Sequence, residues 1–115
     1  MRLLVYNKII SIHLVTRGTF KGGVMKSIIQ KEKRCFACGT PYVEDHHIFF
    51  GTANRKLSEK YGLKIWLCPK HHRTGQEAAH RNRNKDLEYK RIGQLVFEET
   101  HTRKEFINIF GKSYL

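Results

Sequence analysis

Two spacings in this chain have the makings of metal chemistry. Cys35-Phe36-Ala37-Cys38 is a C-x-x-C, and Cys68-Pro69-Lys70-His71 is a C-x-x-H further along. Three thiolates and an imidazole so spaced form the Cys₃His donor set of a closed tetrahedral zinc site, in which the ion is structural. A redox dithiol at Cys35 and Cys38 is the weaker alternative, because it leaves the matched spacing of Cys68 and His71 unexplained. With His71 assigned to zinc, His46, His47 and His72 are left over, beside the acids Glu44 and Asp45. These are the residues with chemistry to spare, since an imidazole titrates near neutrality.

These residues lie between Cys35 and His72, and the elements around them must bring the ends of that stretch together. Tyr42–Phe49 reads as a strand broken at Gly51, and Leu63–Leu67 as a second strand. Between them Asn54–Tyr61 reads as a short helix ending at Gly62, with Leu57 and Tyr61 on one face. Pro69 suits the first turn of a helix that carries His71 and His72 and ends at Gly75. Asn82-Arg83-Asn84 is a loop before a longer helix, Lys85–Glu99, whose Tyr89, Ile92 and Val96 share a face and whose Gly93 costs about 1 kcal/mol. Thr102-Arg103-Lys104-Glu105 is a capping box, so a last helix runs to Phe110 with Gly111 past its end and Phe106, Ile107 and Phe110 in the core. Gly39 supplies the positive φ of a tight metal knuckle. The fold class is a small α+β domain over 25–115, with zinc tying the start of the first strand to the end of the second.

Lys and Arg number 22 against 10 Asp and Glu, a formal charge of +12, which suits a nucleic-acid binder. No apolar run reaches the roughly 20 residues of a membrane span, and Asn7, Lys8 and His13 interrupt the apolar N-terminus in a way no secretory signal does. A reducing cytoplasm fits a chain with three cysteines. Short strands are possible at Leu3–Val5 and Ile9–Val15. However, Lys21-Gly22-Gly23 can be encoded by a purine-rich ribosome-binding sequence just before Met25, so 1–24 is expected to be an upstream extension.

Asp45-His46-His47-Ile48 followed by Leu67-Cys68-Pro69-Lys70-His71-His72 resembles the HNH endonucleases, whose ββα-metal core many members frame with paired zinc knuckles. Residues from Met25 to Leu115 are similar to small HNH proteins of bacteriophages and prophages, which share His-His-Ile-Phe, Asn-Arg-Lys and Leu-Cys-Pro-x-His-His. Here His71 replaces the usual second cysteine of the knuckle. The resemblance implies a metal-dependent DNA endonuclease acting in the bacterial cytoplasm, leaving 5′-phosphate and 3′-hydroxyl ends. His47 would be the general base, while His46 and His72 would hold one divalent cation, Mg²⁺, Mn²⁺ or Ni²⁺. A shifted register, with Asp45 as ligand and His46 as base, stays open, because neighbours on a regular strand face opposite ways. Glu44, on the face of His46, would orient that imidazole.

The central Asn of the family is missing from its usual place, now Gly62-Leu63-Lys64, and Asn54 is the substitute, as a loop pin or a helix cap. His80 is a further ligand, a phosphate contact or a solvated side chain. Lys56, Arg73, Arg81 and Arg83 would grip phosphates. DNA is the implied partner of a monomer or transient homodimer, with phage packaging or recombination proteins as possible associates. A non-catalytic zinc-ribbon DNA-binding or adaptor module is the chief rival, and it has no need of His46, His47 and His72.

Overall fold

The computed structural model describes residues 25–115. The strands expected at Leu3–Val5 and Ile9–Val15, His13 and the upstream extension all lie outside the described residues. From Met25 the chain forms a small α+β fold: β1 (Glu44–His47), α1 (Thr52–Tyr61), β2 (Lys64–Leu67), a short π-helical turn (Lys70–Thr74), α2 (Arg83–Phe97) and α3 (Arg103–Phe110). The strands pair antiparallel, Glu44 opposite Leu67 and His47 opposite Lys64. Alternation then puts His46, Ile65 and Leu67 on the buried face, with Asp45, His47, Lys64 and Trp66 on the other.

Two four-residue strands are marginal by themselves, so the ladder needs support at its edges. The outer edge of β2 is satisfied largely by side chains of the preceding segment. Ser27 Oγ donates to Lys64 O at 2.5 Å and Trp66 N–H donates to Gln30 Oε1 at 2.9 Å, while Phe36 N–H reaches Trp66 O at 2.8 Å. Gly62 ends α1 at φ 71°, where a Cβ would lie 2.5 Å from Lys26 O. Only glycine lets the N-terminal segment cross there.

The loop after β1 is pinned from α1. Ser58 is fully buried, accepts from Phe49 N–H at 3.0 Å and donates to Phe49 O at 2.7 Å. Ser58→Ala would leave both backbone groups buried without partners, at about 1–3 kcal/mol each by the general cost of such orphans. A lowered urea midpoint with unchanged slope would report it, and an unchanged midpoint would show the pin to be dispensable.

Gly93 explains its own place in α2. A Cβ there would sit 3.2 Å from Phe49 and 3.3 Å from Ile48, so the missing side chain lets the residues that follow β1 lie against the helix. The helix spans Arg83–Phe97 instead of Lys85–Glu99, because Asn82 serves as its N-cap, accepting from Lys85 N–H at 3.1 Å. The capping box of Thr102 and Glu105 is present as expected, and Gly111 closes α3 at φ 93°. Phe106 and Phe110 turn inward against Phe49, with ring centroids 5.3 and 4.6 Å away. Ile107, expected in the core, is 38% exposed, since one residue along a helix turns about 100° away from that face.

Candidate metal centres and the adjoining cleft

Two tight backbone turns present the cysteines. In the first, Cys35 N–H donates to Thr40 O and Gly39 N–H to Cys35 O, both at 2.8 Å, with Gly39 at φ 83°. In the second, His71 and His72 N–H donate to Cys68 O at 3.0 and 2.8 Å. The four donors converge: Cys38 Sγ lies 3.9 Å from Cys68 Sγ, and His71 Nδ1 lies 3.8 Å from Cys35 Sγ and 3.2 Å from Cys68 Sγ. An ion held at about 2.3 Å from sulfur and 2.0–2.1 Å from nitrogen sets tetrahedral neighbours roughly 3.6–3.8 Å apart. The 3.8 and 3.9 Å separations match such edges, the 3.2 Å one between Cys68 and His71 is shorter, and 3.9 Å is far beyond a disulfide. Burial opposes ionisation of Cys35, but hydrogen bonds from the backbone at Cys68, Cys38 and Ala37 outweigh it and bring the thiol below its ordinary value. These four residues could hold a metal ion.

A second group stands behind the same turn. His46, His72 and His80 place their ring nitrogens within 4.8 Å of one another, with His72 Nε2 and His80 Nε2 at 3.2 Å. His80 returns to the site because Ala79 N–H donates to His71 O at 2.9 Å and His80 N–H to His72 O at 3.1 Å. His46 is 1% exposed and its Nε2 has no hydrogen-bond partner among the described residues. Burial first, then the charges of His72 and His80, push its pKa down to about 3, so it stays neutral.

Glu44 does not orient His46. Its side chain reaches the turn instead, where Oε1 accepts from His72 Nδ1–H at 2.8 Å. Arg73 braces the same carboxylate through Nε at 2.9 Å and Nη2 at 2.5 Å. Arg73 and then His72 hold Glu44 at a pKa of about 2, so the acceptor stays ionised. The second ring nitrogen of His72 is thereby left toward His80, the tautomer in which ligating histidines are held.

His47 turns the other way. Its Nε2 meets Glu59 Oε1 at 2.8 Å, and the other oxygen of Glu59 takes Lys64 Nζ at 2.8 Å. Burial opposes ionisation of Glu59, but Lys64 and His47 prevail and keep it charged. Asp45 falls into this group with His47 and Glu59, not into the group of His46 and His72, whose third member is His80. The two faces still communicate, because β1 ends at His47. Both His46 and His47 border one cleft of about 390 Å³, beside His72, His80, Arg55 and Gly51.

The other expected site residues fare unevenly. Asn54 lies on the first turn of α1, whose N-cap is Gly51, and its side chain makes no hydrogen bond among the described residues. The expected cap is therefore absent, and the pinning falls to Ser58. Lys56 borders a neighbouring cleft of about 560 Å³ with His47, Thr52, Arg55 and Glu59. Arg73 is tied to Glu44, and Arg81 donates to Thr74 O at 2.6 Å. Arg83 is exposed at the start of α2 and borders neither cleft. Glu59 went unforeseen, although an acid in the last turn of a helix opposes the dipole and so signals a partner elsewhere.

The chain matches no protein-family model, no curated protein and no solved structure. Among the described residues no helix is long and apolar enough to cross a membrane.

Proposed function

We propose that this protein is a metal-dependent DNA endonuclease of the HNH type, with a ββα-metal core stapled by zinc at Cys35, Cys38, Cys68 and His71. The observation that carries this reading is the cleft in which His46, His72 and His80 converge beside His47, apart from the four closed-site donors. His46, His72 and His80 would hold one divalent cation, Mg²⁺, Mn²⁺ or Ni²⁺, which supplies positive charge to the scissile phosphate and the leaving 3′ oxygen. Glu59 takes the Nε2–H of His47, so Nδ1 keeps its lone pair and accepts the proton of the attacking water. The new bond joins water oxygen to phosphorus, and the 3′ oxygen leaves with the electron pair of the broken bond and takes a proton from solvent to become the 3′-hydroxyl. Glu44 keeps His72 in its ligating tautomer throughout.

The formal charge of +12 equally favours a zinc-ribbon module that binds DNA and leaves it intact. Incubating supercoiled plasmid with the protein and each cation, with and without chelator, beside His47→Ala separates the two. Cation-dependent nicking lost in the variant supports the nuclease. A plasmid left intact by wild type, or nicked equally by both proteins, overturns it.

A further inference from the structure

We propose that Asp45, His47 and Glu59 form a second divalent-cation site, separate from the one at His46, His72 and His80, and that an ion held there switches cleavage off. The site stands on geometry alone, while the switching-off rests on the reading of His47 as general base. One ligand atom from each of the three residues lies within 4.8 Å of the other two. Alternation along β1 sends Asp45 and His47 to one face, opposite His46, and Glu59 reaches them from the last turn of α1. His47 Nε2 and Glu59 Oε1 already face each other at 2.8 Å, and Lys64 Nζ fixes the other oxygen of Glu59 at 2.8 Å. Two of the three ligand atoms are therefore in place before any ion arrives.

Asp45 is exposed and makes no hydrogen bond or ion pair among the described residues, so its carboxylate is free to complete the set. One imidazole with two carboxylates suits a borderline ion such as Zn²⁺, Co²⁺ or Ni²⁺, with water in the remaining positions. Arg55 and Lys56 border the hollow beside His47 and Glu59, and their charge opposes a cation. A set of three imidazoles binds such ions more tightly, so the site of Asp45, His47 and Glu59 fills second. Its ion takes the place of the proton that His47 Nε2 shares with Glu59. The ring stays neutral by releasing that proton and taking one from solvent on Nδ1, the nitrogen that would otherwise accept from the attacking water. Cleavage should thus rise with the first ion and fall with the second.

The test uses the full chain, zinc-loaded, titrated with Co²⁺ and followed by calorimetry and by the paramagnetically shifted ring protons of its histidines. Two further ions should bind, the second shifting the ring of His47. Asp45→Asn should weaken that second binding by roughly tenfold or more, since even the outer partners of a metal carry roughly 10–100-fold in affinity. The first binding should not move. In plasmid nicking, the wild-type rate should pass through a maximum as Co²⁺ rises, and Asp45→Asn should push the falling limb to higher concentration by the same factor. A single bound ion, a His47 ring that does not respond, or an Asp45→Asn protein with the wild-type second affinity overturns the site. A second ion at His47 with no falling limb overturns the switching-off. If nicking depends on His47 while only one ion binds, the nuclease stands and the second site falls. If the second ion binds through Asp45 yet no cation brings cleavage, the site stands and the nuclease reading falls.

Discussion

Stripping zinc from the site proposed at Cys35, Cys38, Cys68 and His71 is expected to unfold the protein. Structural zinc contributes an apparent 10–16 kcal/mol in small zinc-binding peptides, as large as the whole stability of a typical domain, about 5–15 kcal/mol. Here the four donors join the knuckle before β1 to the turn after β2, and the sheet between them has only two four-residue strands. On that reading, removing the ion would leave thiols that lie 3.9 Å apart with nothing to hold them, and the turn bearing His72 would lose its anchor. Chelation in the presence of reductant should abolish the cooperative thermal transition seen by circular dichroism, and Cys68→Ser should do the same without chelator. A transition unmoved by either treatment would show that the apolar core suffices alone.

His47→Ala is expected to cost 10²–10⁴ in plasmid cleavage, the usual range for a positioned general base. Glu59 divides that effect further. Glu59→Gln keeps an oxygen that accepts from His47 Nε2–H but loses the charge facing Lys64, so a loss of about tenfold in kcat with little change in KM is the expected outcome. Glu59→Ala removes the acceptor from His47 and strands Lys64, which is only 8% exposed, so stability should fall along with activity. Melting curves beside the kinetics separate the two. Equal rates for wild type and Glu59→Gln, together with an unchanged ring tautomer by ¹⁵N spectroscopy, would remove Glu59 from the mechanism.

Much of the fold could be read from single residues and short spacings. The ends of α1 and α3 follow from Gly62, Gly111 and the pairing of Thr102 with Glu105, because caps are local physics. The donor set of Cys35, Cys38, Cys68 and His71 followed from two matched spacings for the same reason. What escaped was decided between elements. Ser58 replaces Asn54 as the pin because tertiary packing, not the motif, determines which α1 side chain faces Phe49. Glu44 serves His72 because the turn carrying His72 and Arg73 packs within its reach. The membership of His80 needed the backbone bonds that fold its loop onto the turn, which no spacing encodes.

The five-residue turn Lys70–Thr74 hands His71 to one centre and His72, its immediate neighbour, to the other. Successive residues on a helical turn point in well-separated directions, so two adjacent imidazoles can serve different sites from one short spindle. Length is what this spindle conserves. One residue inserted between His71 and Cys68 would swing both rings at once and misalign two sites with a single change. One substituted on its exposed face, as at Lys70, disturbs neither. Away from its donor residues, the tolerance of this region is therefore set by count.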